Sequence, residues 1–282
     1  MNAPPRTLLR WGLGGILGAC VAASFPAHAE GWRWAAPVRL ATAVCSRFEG
    51  VSDLPMAPES GHLLERLAAA VQGSPPTEIL RWRDGSAEDF LRWIEDLAAG
   101  GQSGTDLVFW FATHQKRDGR LKFSSGPDLA PGDWIAAVNR AAAAHARLLL
   151  IHDCCHAAEL ERIGGFRPNV TRFYAARANE DAADVEFSRA PFGVAAYARP
   201  ARAWLRAALR WDPPGMTQMG LYLLEGGRQA MRDGGDCVDL QSLVAAMNAA
   251  RERFNDEVRQ ARAQHVVLAP SEANFVLLRR GE

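Results

Sequence analysis

The residues best suited to chemistry lie in two short stretches. Residues 147–159 read Arg-Leu-Leu-Leu-Ile-His-Asp-Cys-Cys-His-Ala-Ala-Glu, and residues 112–115 read Ala-Thr-His-Gln. A thiolate attacks carbonyl carbon, and a nearby imidazole can take the thiol proton and later pass it to a leaving amine. Cys155 and His114 therefore form a candidate acyl-transfer pair, and backbone N–H groups at their turns could hold the oxyanion. Read singly, each residue is bland: a satisfied strand-end histidine, or a small buried hydrophobe. Cys154 reads as a packing thiol. The cluster His152, Asp153, Cys154, Cys155 and His156 also suggests a metal, but neighbouring strand residues point to opposite faces. His62, His145 and His265 are scattered, and no second cluster has zinc spacing.

Both stretches close apolar runs. Residues 106–114 and 147–152 have the length and continuous hydrophobicity of strands buried on both faces. In an open α/β sheet, ligands gather at the carboxyl ends of such strands. Further strands are expected at 38–45, 77–82 and 170–175. Helices are expected at 59–71, after the capping pair Ser86 and Asp89, and at 133–146. Residues 116–123, with Asp118-Gly119 in the middle, read as a hairpin. Residues 197–209 and 240–264 read as helices, and 265–269 and 274–278 as terminal strands. The glycine-containing segment 213–237 reads as a loop or lid. Strands alternating with helices through residue 175 predict a parallel sheet covered on both faces.

The chain has 282 residues with 32 basic and 32 acidic side chains, and this neutral balance argues against nucleic-acid binding. Residues 1–29 read as a secretory signal: Arg6 and Arg10, a short apolar core, then Ala27-His28-Ala29. That core is too short for a stable membrane span, although Leu17-Gly18-Ala19-Cys20 is a competing lipoprotein box. A periplasmic or secreted protein is expected. Cys45 and Cys237 then read either as free thiols or as a disulfide pair. Trp32, Trp34, Trp204 and Trp211 read as core or interface aromatics.

The two motifs, and the order of elements over 37–210, resemble the caspase-like (clan CD) cysteine peptidases, in particular the bacterial metacaspase branch. In that family one strand ends in Ser-Gly-His-Gly and the next in Asp-Xaa-Cys-His-Ser-Gly. The counterparts here are Ala112-Thr113-His114-Gln115 and Asp153-Cys154-Cys155-His156-Ala157-Ala158. The resemblance implies a caspase-like three-layer α/β sandwich, with a mostly parallel central sheet and helices on both faces. Residues 37–210 would be the catalytic core, and 211–282 a helical and strand extension packed on it.

By the same resemblance Cys155 is the nucleophile, His114 the base, and Gln115 and Cys155 supply oxyanion N–H groups. Asp153 lines the specificity pocket, with a second contribution near Asn179 and Glu180, which would favour Arg or Lys before the cleaved bond. The implied activity is that of a cysteine endopeptidase acting on protein or peptide substrates. It needs no cofactor, calcium being the one ion that governs some members. Two departures weigh against activity: glycine is replaced by Gln115, which lacks its freedom at positive φ, and Ser-Gly by Ala157-Ala158. The alternatives are an inactive caspase-like module that binds a protein partner and, third, a metal-dependent periplasmic hydrolase.

Overall fold

The computed structural model describes residues 32–71, 76–187, 192–233, 235–257 and 264–280. The expected export signal at 1–29 lies outside them. In chain order the elements are β1 (Trp32–Trp34), β2 (Val38–Val44), α1 (Ala57–Ala70), β3 (Glu78–Arg83), α2 (Ala87–Ala99), β4 (Asp106–Ala112), β5 (His114–Gln115) and β6 (Leu121–Lys122). Next come α3 (Pro131–Ala143), β7 (Leu148–Asp153), a 3₁₀ turn (Ala157–Glu159), α4 (Leu160–Ile163), β8 (Val170–Tyr174), β9 (Asp184–Glu186) and α5 (Phe192–Leu209). The chain continues through β10 (Gly215–Thr217), α6 (Gln218–Asp233), β11 (Cys237–Asp239), α7 (Leu240–Glu257), β12 (Val267–Ala269) and β13 (Val276–Arg280).

The central sheet has the order β12-β8-β7-β4-β2-β3. All its pairings are parallel except that of β12 with β8. The C-terminal segment thus supplies an edge strand to this sheet. Strands β4 and β7 lie in the middle, and period-two alternation sends their side chains to two separate cores. Val108, Trp110, Leu149 and Ile151 face one core, which is covered by α1, α5, α6 and α7. Leu107, Phe109, Phe111, Leu148 and Leu150 face the other, covered by α2 and α3. Here Phe111 stacks on Trp134 at 4.3 Å. Burial on both faces explains why the two strands read as continuous apolar runs. Helix α2 begins with the expected capping box, Ser86 Oγ accepting from the Asp89 amide at 3.1 Å.

Two expectations change. Residues 213–237 are not a loop but β10 followed by the four-turn helix α6. Its buried Met219, Tyr222, Leu223 and Leu224 give the segment an apolar face that its glycines obscured. The strand 106–114 stops at Ala112, and His114 instead opens the hairpin, pairing with Lys122. Of the helix expected over 240–264, residues 240–257 are helical and 258–263 lie outside the described residues.

Cys45, Cys154, Cys155 and Cys237 are all free thiols. Among the described residues no helix is long and apolar enough to cross a membrane, and no group of three or more His, Cys, Asp or Glu side chains is arranged to hold a metal ion.

Beneath the central sheet, α1, α6, α7 and β13 frame a partly open apolar pocket of about 100 Å³ lined by Leu64, Ile151, Phe173, Leu224, Met231 and Leu277, among others, with half-buried Trp34 and Leu67 at its wall.

Candidate active site

Parallel register aligns the ends of β4 and β7. Ala112 pairs with Asp153, and His114 and Cys155 each stand two residues further along their chains. Both line a single small cleft, together with Asp153, Ala182, Asp184 and Thr217. The alternation along β7 separates the cysteines as expected. Cys154 packs into the α2/α3 core, while Asp153 and Cys155 turn to the cleft.

The hydrogen bonds of the two candidate catalytic groups run to backbone. Cys155 Sγ accepts from the Ala182 amide at 3.3 Å and donates to the Ala182 carbonyl at 3.7 Å. Burial is the main cause that pushes the Cys155 thiol pKa up, with the charges of Asp181 and Asp153 adding to it. A thiol so placed is protonated near neutral pH and a poor nucleophile. His114 Nε2 lies 2.7 Å from the Ser52 carbonyl, so that nitrogen carries the proton, and its ring packs on Phe48 at 4.6 Å. The cleft holds about 20 Å³, room for about one water rather than an amino-acid side chain. The Ala182 backbone covers Cys155 in this cleft.

Asp153 is the most perturbed acid in the site. Thr217 Oγ1 donates to its Oδ2 at 2.7 Å, while Oδ1 is buried with no partner. Burial, with a smaller contribution from the charge of Asp184, pushes its pKa from 3.8 up to about 7. Thr217 is itself held by Ser60, whose Oγ lies 2.9 Å from both the Thr217 hydroxyl and its amide nitrogen. Asp184 accepts from the Met56 amide at 3.1 Å, and burial also raises its pKa.

Gln115 is occupied on the far side of the turn. Its side chain is buried, with Oε1 2.7 Å from His152 Nε2 and Nε2 donating to the His156 carbonyl at 2.9 Å. These bonds fix the His152 tautomer as Nε2–H. They also brace His156, which sits in the left-handed region at φ 51°, an uncommon conformation for a residue with a side chain. The His156 amide donates to the Glu180 carbonyl at 2.7 Å and its Nδ1 to the Ala178 carbonyl at 3.1 Å. The Gln115 side chain therefore buttresses the 153–156 turn rather than entering the cleft.

Asn179 and Glu180 also sit away from the cleft wall. The Glu180 carboxylate accepts from the Arg177 amide at 3.0 Å and pairs with His265 Nδ1 at 2.5 Å. The acid that this loop presents to the cleft is Asp184, four residues later and at the start of β9. It lay in a polar stretch with several carboxylates, and nothing in its spacing singled it out. Thr217 and Ser60 were missed because the segment carrying Thr217 read as loop.

No family model matches the sequence, and no curated relative matches it either. The fold is similar to the crystal structure of caspase-1 from Spodoptera frugiperda, with a TM-score of 0.52 and 10% sequence identity, covering 84% of this chain and 89% of that one. At this identity the likeness is one of fold: the chain has a caspase-like three-layer α/β sandwich.

Proposed function

We propose that the protein is a caspase-fold module that binds an extended, basic segment of a partner protein at the cleft between His114 and Asp184, without hydrolysing it in the arrangement described. The observation that carries this reading is the convergence of Asp153 and Asp184 on one buried cleft, with neutral groups, Thr217 and Met56, as their hydrogen-bond partners. Burying a carboxylate without a cation is costly, and a guanidinium or ammonium from a ligand relieves that cost. The bonds of Cys155 to Ala182 and of His114 to Ser52 favour binding over catalysis.

The second reading is a cysteine endopeptidase of metacaspase type cleaving after Arg or Lys. Its support is that Cys155 and His114 line the same cleft. There His114 would take the Cys155 thiol proton, the thiolate would attack the carbonyl carbon, and His114 would pass the proton to the leaving amine as the C–N bond breaks. The N–H groups of Gln115 and Cys155 would hold the oxyanion of this tetrahedral intermediate and of the one formed when water hydrolyses the thioester. Export belongs to either reading, supported by the pattern of residues 1–29. N-terminal sequencing of protein expressed in a bacterial host is expected to show a mature chain beginning at Glu30 in the periplasm. Intact residues 1–29 on cytoplasmic protein would remove export.

One experiment separates the two. Reduced full-length protein is exposed to a fluorescent peptide ending in Arg, free or as its acyloxymethyl ketone. Binding predicts equal affinity for the free peptide in wild type and Cys155→Ala, about tenfold weaker affinity in Asp184→Asn (roughly 1.4 kcal/mol), and no covalent labelling. Labelling of wild type that vanishes in Cys155→Ala establishes the peptidase reading instead. Absence of both binding and labelling defeats both.

A further inference from the structure

The apolar cavity beneath the sheet is separate from the cleft and serves no purpose in either reading of it. We propose that it is a binding site for a small uncharged apolar molecule, an aromatic ring or a short aliphatic chain.

Three observations support this assignment. The first is size. Natural cores rarely leave apolar space larger than a water unfilled, whereas this partly open pocket measures about 100 Å³. An engineered apolar cavity of about 150 Å³ in another protein stays dry and takes up benzene or xenon.

The second is chemistry. The wall is built from Leu, Ile, Val, Phe, Met and Ala side chains of the central sheet, α1, α6, α7, β11 and β13, with Trp34 of β1, whose indole N–H is the one buried polar atom there without a partner among the described residues. The one charged side chain on it, Arg228, donates to Glu225 at 2.8 Å and lies over the Trp204 ring at 5.3 Å. A trapped water needs two to four polar partners, which such a wall does not offer. An apolar guest loses nothing there and gains dispersion contacts with every side.

The third is Gly227. This α6 residue lines the cavity, and a Cβ built on it meets no atom within 4 Å. Alanine would favour the helix and begin to fill the void, yet glycine stands there and keeps the space open. Two of these helices, α1 and α6, reach the cleft at their other ends: Ala57 of α1 lines it, and Thr217 directly precedes α6.

The test is methyl NMR and thermal unfolding of the full-length protein titrated with benzene, with octanoate as a charged comparison. Benzene is expected to shift the methyl signals of Leu64, Ile151 and Leu224 and to raise Tm with concentration, and octanoate to do so more weakly. Gly227→Leu is expected to raise Tm without ligand and to abolish the benzene response. Should Gly227→Leu fail to fold, Gly227→Ala places one methyl in the same space and is expected to weaken the response. No benzene-induced shift in wild type, shifts confined to residues outside the cavity, an undiminished response in the folded variants, or octanoate binding as tightly as benzene would each overturn the proposal.

Discussion

Asp153→Asn is expected to make the protein more stable at neutral and alkaline pH, by at most about 4 kcal/mol at about 1.36 kcal/mol per pKa unit, less the cost of an amide N–H without an acceptor where Oδ1 now stands. Burial raises the Asp153 pKa from 3.8 to about 7. Between those values the folded chain holds a proton that the unfolded chain has released. Raising the pH through this window therefore favours unfolding, and the full penalty stands above pH 7. Asparagine has the shape of the protonated acid, keeps an acceptor for Thr217, and cannot ionise. Below the carboxylate's ordinary pKa both proteins carry a neutral group here, so their stabilities should converge at about pH 4.

The neighbouring residue sharpens this prediction. His152 is buried in the opposite core, and burial lowers its pKa from 6.5 to about 3. The unfolded chain takes up this proton as the pH falls through 6.5, while the folded chain resists it until about 3, so acid destabilises the protein through His152. In the wild type the two slopes oppose each other between about pH 4 and 6.5 and partly cancel. In Asp153→Asn the His152 slope stands alone, and stability should fall steadily on acidification from 6.5. Urea unfolding at pH 8, 6 and 4 reads all of this. A variant less stable than wild type at pH 8, or a difference that persists undiminished at pH 4, would show that Asp153 is ionised and compensated in the folded protein.

How much of this was legible in the sequence depended on how local the signal was. Residues 106–114 and 147–152 read as central strands because continuous apolar runs this short suit a strand buried on both faces better than a helix. Parallel register between sequential strands then brought His114 and Cys155 to one edge, although the first of these strands ends at Ala112 and His114 belongs to the hairpin that follows. Ser86 and Asp89 were readable because a capping box is complete within four residues.

What depended on distant partners was not readable. Asp184 matters through its place beside the Met56 amide and its position in the cleft, and a sequence of nearby acids gives no hint which one turns inward. Gln115 looked like an oxyanion residue with the wrong backbone. Its side chain bonds to His152 Nε2 and to the carbonyl of His156, two groups 37 and 41 residues away. The replacement of glycine thus acquires a structural role that the motif comparison could only register as a loss. Helix α6 was hidden by Gly220, Gly226 and Gly227, residues that weaken helix propensity but permit close packing. That packing is visible only once α1 and α7 are in place.

Gly226→Ala is expected to damage the fold although it adds a single methyl group. Within a helix the exchange ordinarily stabilises by about 1 kcal/mol, because glycine has more backbone entropy to lose. At position 226 the added Cβ would lie 2.5 Å from Met247 Cγ, 2.7 Å from the Met247 amide nitrogen and 2.8 Å from its Cα. Two of those atoms are backbone of α7, so no rotamer change relieves the collision and the helices must separate. Overpacking of this kind costs roughly 1–3 kcal/mol and occasionally more, and here it also pulls apart the buried surfaces carrying Leu223 and Met247. A net loss of about 2 kcal/mol or more is expected, against a gain of about 0.5–1 kcal/mol for Gly227→Ala, whose methyl meets open space. Adjacent glycines on one helix should thus respond with opposite sign. Chemical denaturation of the two variants beside wild type measures it, and a Gly226→Ala protein as stable as wild type would mean that α6 and α7 pack less closely than described.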